Sequence, residues 1–296
     1  MKKLIIVALS AVLAVMAVEP AHAQNVVIPA SEKVLAIIDT AIDSARPEFK
    51  DKVIYEACFT VNRSCPNGQS FMEGIGSAKS NVWPADIRNT TYHGHNMTQV
   101  ALETNSNIKI VFIRASDISA AGNSGTGPQL QALILAIDWV SKNASKYSID
   151  AVSISSAGMS SNAFAACSAD TTTINAIASL KAQNIPTFAA TGNNSTASTI
   201  QPVGFPACVS EVIGVGSVRP NLTELSPFTN RGVGLDVIAQ PQLIVKRYNG
   251  STATAEGTSV STQIAASLYI KNNVSSGFDK FLNGLPKVLG YTYISK

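Results

Sequence analysis

The sequence predicts an α/β domain built on an open, doubly wound, mainly parallel sheet with helices on both faces. Two observations carry this. Short β-branched runs alternate with longer segments of helical period, the pattern of parallel strands joined by helical crossovers. The polar residues with chemical potential also follow directly on those runs, where open α/β sheets gather their functional groups.

Each element can be justified in turn. Val34 to Ile38 is an uninterrupted apolar run ending in Asp39, as expected of a strand buried on both faces. Ile108 to Ile113, Ala151 to Ile154, Thr187 to Ala190 and Val212 to Gly216 read as its neighbours. Leu130, Leu133, Ile134, Ile137 and Val140 recur at helical spacing, as do Ile174, Ile177 and Leu180 before Asn184 and Pro186 end the segment. Both helices should pack one face on the sheet. Gly122 to Gly127 reads as a surface loop.

At the amino end, Lys2 and Lys3, the apolar run Leu4 to Val18 and the small-x-small site Ala21-His22-Ala23 form a secretory signal, so residues 1–23 are expected to be cleaved and 24–296 to form one domain. The apolar run is short for a bilayer span and Pro20 follows it, so no membrane association is expected after cleavage. The full chain carries a formal net charge of +3. Its basic residues are scattered, which argues against a nucleic-acid footprint.

Cys58, Cys65, Cys167 and Cys208 all fall in the exported part, where disulfides persist. Four cysteines allow three pairings. The short loop favours Cys58 with Cys65, which leaves Cys167 with Cys208. No C-x-x-C spacing supports a zinc site, and no metal or cofactor is expected.

Once His22 leaves with the signal, His93 and His95 are the only imidazoles. His93-Gly94 opens a stretch in which Met97, Val100 and Ala101 repeat at helical spacing, and glycine beside an imidazole permits close approach. Gly257-Thr258-Ser259 precedes another apolar helical stretch through Ile264, Ala265, Ala266 and Leu268. Unpaired N–H groups at such a helix start favour the negative charge that develops on an attacked carbonyl. Taken alone, a serine there is an N-cap.

Together these segments resemble the subtilisin-like serine proteases in type, order and spacing. Ile37-Ile38-Asp39-Thr40-Ala41-Ile42-Asp43 is similar to their aspartate motif, His93-Gly94 with Met97-Thr98 to their histidine motif, and Gly257-Thr258-Ser259-Val260-Ser261-Thr262 to their Gly-Thr-Ser-Met-Ala-Thr segment. The chain order Asp, His, Ser is that of the family. Val152 to Gly158 resembles the family's substrate-binding strand, Ile185 to Asn193 the strand leading to its oxyanion-hole asparagine, and Phe205 to Gly216 with Phe228 to Gly232 and Asp236 to Ala239 the segments that follow. Cys58-Phe59 with Cys65-Pro66-Asn67-Gly68 is similar to a pair of segments in secreted bacterial members, favouring export and the short disulfide loop.

The resemblance implies a three-layer fold and an endopeptidase acting on polypeptide as a monomer, secreted or periplasmic. Ser259 is then the nucleophile, His93 the general base and acid, Asp39 the group that orients it, and Asn193 an oxyanion donor. Ser155, Ser156, Ala157, Gly158 and Gly192 would bind substrate, the first four by accepting it as an added strand. The class that competes most directly is a catalytically silent binding relative. An unrelated exported α/β protein would separate Asp39, His93 and Ser259 in space.

Several positions depart from the family pattern. Ala41 replaces the usual glycine and Gln263 the usual proline. Gly94-His95 also fits the glycine-histidine pair that often opens the histidine motif; His93 is preferred because it alone is followed by glycine, which makes His95 a solvent or cleft neighbour. Glu103 is the sole carboxylate in 101–113, so no calcium is expected there, and Asp43 and Asp117 are read as isolated surface carboxylates in preference to members of some other cation site. Only about ten residues separate the signal from the first strand, where relatives usually carry a long propeptide. Folding is therefore expected to draw on a separate chaperone or inhibitor, on the disulfides, or on the architecture itself.

Overall fold

A computed structural model describes residues 29, 32–86, 88, 90–117, 129–273 and 278–295. The signal-like segment 1–23 and the glycine-rich stretch 122–127 lie outside them.

In chain order the strands are β1 (Lys33–Asp39), β2 (Val53–Phe59), β3 (Phe71–Glu73), β4 (Ile108–Arg114), β5 (Ile149–Ile154), β6 (Thr187–Ala190), β7 (Val212–Ser217), β8 (Val237–Ala239), β9 (Gln242–Lys246), β10 (Thr252–Glu256), β11 (Lys287–Val288) and β12 (Tyr291–Ile294). The helices are α1 (His93–Thr104), α2 (Leu130–Asn143), α3 (Ser161–Ala169), α4 (Thr171–Ala182), α5 (Thr258–Asn273) and α6 (Phe278–Asn283). Among the described residues one sheet has the order β11-β12-β8-β7-β6-β5-β1-β4-β2-β3, and β9 and β10 form a separate hairpin. All pairings from β12 through β2 are parallel; only the edge strands β3 and β11 run antiparallel.

Alternation along β1 explains the layers. Val34, Ala36 and Ile38 pack with Leu133, Ile137, Ala163, Ile177 and Leu180 of α2, α3 and α4. Leu35 and Ile37 face the opposite side, against Met97, Val100 and Ala101 of α1 and Val260, Ile264 and Leu268 of α5. Both faces are thus covered, so every β1 residue after Lys33 is buried. Each fully buried Leu or Ile contributes about 1.5–3 kcal/mol. Ser160 and Asp170 cap α3 and α4 by accepting from the Ala163 and Thr173 amides.

From β1 the chain crosses outward to β2, returns to β4, and then passes to β5 on the other side before continuing to β6, β7 and β8. The winding therefore reverses beside β1. A crevice opens there at the carboxyl ends of β1, β5 and β6, the expected location of a functional site.

The disulfides join Cys58 to Cys65 and Cys167 to Cys208, the pairing favoured by loop length. Two carboxylates differ from expectation. Asp117 is buried because the 61–64 loop folds over it: it accepts from the Val61 and Asn62 amides, each at 2.9 Å, and from Ser64 Oγ at 3.0 Å. Asp43 is buried as well, paired with Lys79 at 3.4 Å and accepting from the Tyr248 hydroxyl at 3.0 Å. Neither is an isolated surface charge; both tie loops to the sheet.

Candidate active site

Asp39 ends β1 and is fully buried. The amide of the next residue, Thr40, donates to Asp39 Oδ1 at 2.7 Å. The Thr40 hydroxyl then reaches the start of α1, donating to Thr91 O at 3.3 Å and accepting from the Gly94 amide at 2.9 Å. One orphan donor of the helix start is satisfied this way. Gly94 is needed because any Cβ there would stand 2.7 Å from both Ala41 O and Phe112 Cζ. This tight seam brings His93 Nδ1 to 2.7 Å from Asp39 Oδ1.

A carboxylate only accepts, so Nδ1 carries the proton and Nε2 keeps its lone pair. Burial opposes charging of His93, but the negative charge and hydrogen bond of Asp39 outweigh it and lift the imidazole pKa above its ordinary value.

Ser259 lies in the first turn of α5. No intrahelical acceptor exists for its N–H at that position. Asn193, three residues past β6, accepts at Oδ1 from the Thr258 amide at 2.9 Å and from the Thr258 hydroxyl at 3.0 Å. An amide donor can be met only by the oxygen, which fixes the side chain with Nδ2 turned the other way. Gly257, at φ +136°, makes room: a Cβ there would lie 3.2 Å from Nδ2.

His93, Ser155, Ser156, Ala157, Gly192, Asn193 and Ser259 line one open cleft of ≈ 480 Å³. Asp39 stands behind His93. Gly158 is not on the cleft wall; it exchanges both backbone hydrogen bonds with Phe205, at 2.7 and 3.0 Å, so its backbone groups are already occupied. The Ser259 hydroxyl donates to Ser155 O at 3.2 Å. Among the described residues it has no hydrogen bond to His93.

His95 corrects an expectation. It is fully buried, with no exposure to solvent or cleft. The reason is the β9–β10 hairpin: Gln99 spans the Lys246 backbone, accepting from its amide at 2.6 Å and donating to its carbonyl, while Phe49 and Tyr248 cover the ring. Burial drives the His95 pKa down to about 4.

Two features escaped the sequence reading. Gln263, one helical turn beyond Ser259, reaches Ser155 Oγ at 2.9 Å. The sequence marks the position, as glutamine in place of the family's usual proline, but gives no sign of its partner after β5. Hairpin β9–β10 has alternating residues around Asn249-Gly250, a turn signature that could have revealed it. Among the described residues no helix is long and apolar enough to cross a membrane, and no group of three or more His, Cys, Asp or Glu could hold a metal ion.

Fold and cleft define a doubly wound α/β protein with an acid–imidazole pair and a helix-borne hydroxyl at the point where the winding reverses. The chain belongs to the subtilase family, whose family model matches residues 30–271. It is 27% identical over 253 residues to a thermophilic serine proteinase of Bacillus sp. (strain AK1), covering 83% of this chain and 53% of that protein. The chain thus spans about half the length of that relative. Over 235 residues it is 28% identical to subtilisin DY of Bacillus licheniformis, covering 77% of this chain and 72% of that protein.

Solved structures agree on the fold. A cold adapted subtilisin-like serine proteinase superposes with a TM-score of 0.58 at 22% identity, covering 88% of this chain and 87% of that one. A structure of proteases from Pseudoalteromonas arctica PAMC 21717 gives 0.65 at 18% identity, covering 88% and 85%.

Proposed function

We propose that the chain is an exported serine endopeptidase working through Asp39, His93 and Ser259. The observation that carries this is the 2.7 Å contact of Asp39 with His93 in a cleft that also presents Ser259 and Asn193. The reaction requires Ser259 Oγ to leave the Ser155 carbonyl and turn towards His93 Nε2 by a change of χ1 between staggered wells. Oγ then attacks the peptide carbonyl carbon while its proton passes to Nε2. The tetrahedral oxyanion is held by the Ser259 N–H and Asn193 Nδ2. His93 returns the proton to the leaving amine, and water hydrolyses the acyl ester by the same route. The polypeptide substrate lies along Ser155 to Ala157 as an added strand, with Gly192 on the facing wall.

Export draws support from the signal-like segment 1–23 and from the two disulfides, which persist in oxidising compartments. The enzyme works as a monomer without a cofactor.

One observation favours a second reading. The Ser259 hydroxyl is directed at Ser155 rather than His93, as it could be in a silent binding relative. Hydrolysis of an unstructured protein or chromogenic peptide by the wild-type chain and by Ser259→Ala separates the two. Cleavage that disappears in the variant supports the endopeptidase; no cleavage by either supports the silent relative.

A further inference from the structure

Helix α5 is buried from Thr258 to Ile270, and apart from Gln263 and Tyr269 its residues there are small or aliphatic. Burying an amide is unfavourable unless its polar atoms are bonded. Gln263 is fully buried, yet only one end is satisfied: Nε2 donates to Ser155 Oγ at 2.9 Å, while Oε1 has no partner among the described residues. A methionine or leucine would occupy the same space without an orphaned acceptor, so stability alone does not account for glutamine here.

The single bond is well placed. Because Gln263 donates to Ser155 Oγ, the Ser155 hydroxyl proton is directed elsewhere, and it goes to the Ser259 carbonyl at 3.3 Å. Ser259 Oγ in turn donates to the Ser155 carbonyl at 3.2 Å. Gln263 Nε2, Ser155 Oγ and the Ser259 carbonyl therefore form a chain of two bonds between the end of β5 and the first turn of α5, neither of which uses the Ser259 hydroxyl. Both are buried, where such bonds hold geometry most firmly.

We propose that Gln263 is a positioning residue: through Ser155 it holds the first turn of α5, and with it the Ser259 backbone that carries the hydroxyl and the N–H, in register with the cleft wall that receives substrate. This deepens the peptidase reading and rests on it. Proline, which the family commonly has at this place, carries no side-chain donor, so the bond belongs to the glutamine of this chain. The lost constraint would act on the bond-making step, since Gln263 does not line the cleft.

The test compares the full-length exported wild type with Gln263→Met, Ser155→Ala, the double variant and Gln263→Glu. Each is assayed for kcat and KM on one peptide and for thermal midpoint. Gln263→Met should lower kcat about ten-fold, the rate equivalent of one neutral hydrogen bond, with KM and thermal midpoint little changed. The double variant should lose no more than the worse single variant, because both break the same chain of bonds. Gln263→Glu supplies a check independent of packing. Its neutral acid keeps a donor for Ser155 and its carboxylate does not, so kcat should gain a falling limb at high pH that the wild type lacks. Full kcat in Gln263→Met, or losses that multiply in the double variant, would overturn the assignment while leaving the peptidase reading intact. No cleavage by the wild type would instead overturn the peptidase reading and this inference with it.

Discussion

Asp39 at the end of β1 and His93 at the start of α1 are joined by a 2.7 Å hydrogen bond, and the Thr40 hydroxyl staples the same two elements together beside it. The Asp39–His93 pair is thus an outgrowth of strand–helix packing: Gly94 lets α1 close on Ala41 and Phe112, and that closure sets the imidazole against the carboxylate.

Asp39→Asn should keep the fold and lower kcat on the order of 10⁴, because an amide stabilises neither the needed tautomer nor the imidazolium. The pH profile provides a second readout. His93 must be neutral to accept a proton and its pKa is raised, so activity should climb with pH through a midpoint above the ordinary histidine value. Removing the negative charge should move that midpoint down. In stability the sign is opposite: the Asp39–His93 attraction contributes fully below the unfolded histidine pKa and is lost as pH rises through the folded one.

Asn193→Ala should reduce kcat by about 10²–10³ with a smaller effect on KM, since Nδ2 bonds strongly only once the oxyanion has formed. The side chain also anchors Thr258 through Oδ1, so some loss of thermal midpoint should accompany it. A KM effect with unchanged kcat would remove Asn193 from the oxyanion hole.

These expectations show how unevenly the site could be read in advance. Asp39, His93, Ser259 and Asn193 stand in local patterns where apolar runs give way to polar residues, and local pattern is what a sequence displays. His95 was misplaced because its burial depends on the β9–β10 hairpin about 150 residues further along, which no local period announces. The same holds for Asp43 and Asp117, whose partners Tyr248 and the 61–64 loop come from distant segments. Strand β2 was missed although Val53 to Phe59 is apolar at most positions, because Glu56 interrupts it; that carboxylate is buried and accepts from the Ala78 amide at 2.8 Å. Gly158 looked like an open strand end, and only the neighbouring Phe205 shows that its backbone is occupied.

His95 should make the fold sensitive to acid. Its pKa falls from about 6.5 unfolded to about 4 folded, so the unfolded chain binds more protons between these values. Stability is complete above the unfolded pKa and declines as pH falls through this window, by about 3 kcal/mol in all. Arg46, Glu48 and Asp43 are the charges around it, with Arg46 opposing the imidazolium and the two carboxylates favouring it. Urea melts of wild type and His95→Phe at pH 7 and pH 4.5 should show a much smaller pH difference in the variant. An equal difference in both would place the sensitivity elsewhere.

The two disulfides should differ in what they contribute. Loop entropy gives about 2.5 kcal/mol for Cys58–Cys65 and about 4 kcal/mol for Cys167–Cys208, because the second closes the longer segment. Paired Cys→Ser variants, measured by denaturant midpoint, should follow that order, with Cys167→Ser/Cys208→Ser the weaker protein. The reverse order would show that native contacts around the 58–65 loop outweigh chain entropy.

The convergence of Asp39, His93 and Ser259 is tested most directly by labelling with a serine-directed fluorophosphonate and mapping the adduct by peptide mass spectrometry. A single adduct on Ser259, lost in His93→Ala and retained in His95→Phe, is the predicted result. No adduct on Ser259 in a folded wild-type protein, or one that forms equally well without His93, would contradict the account.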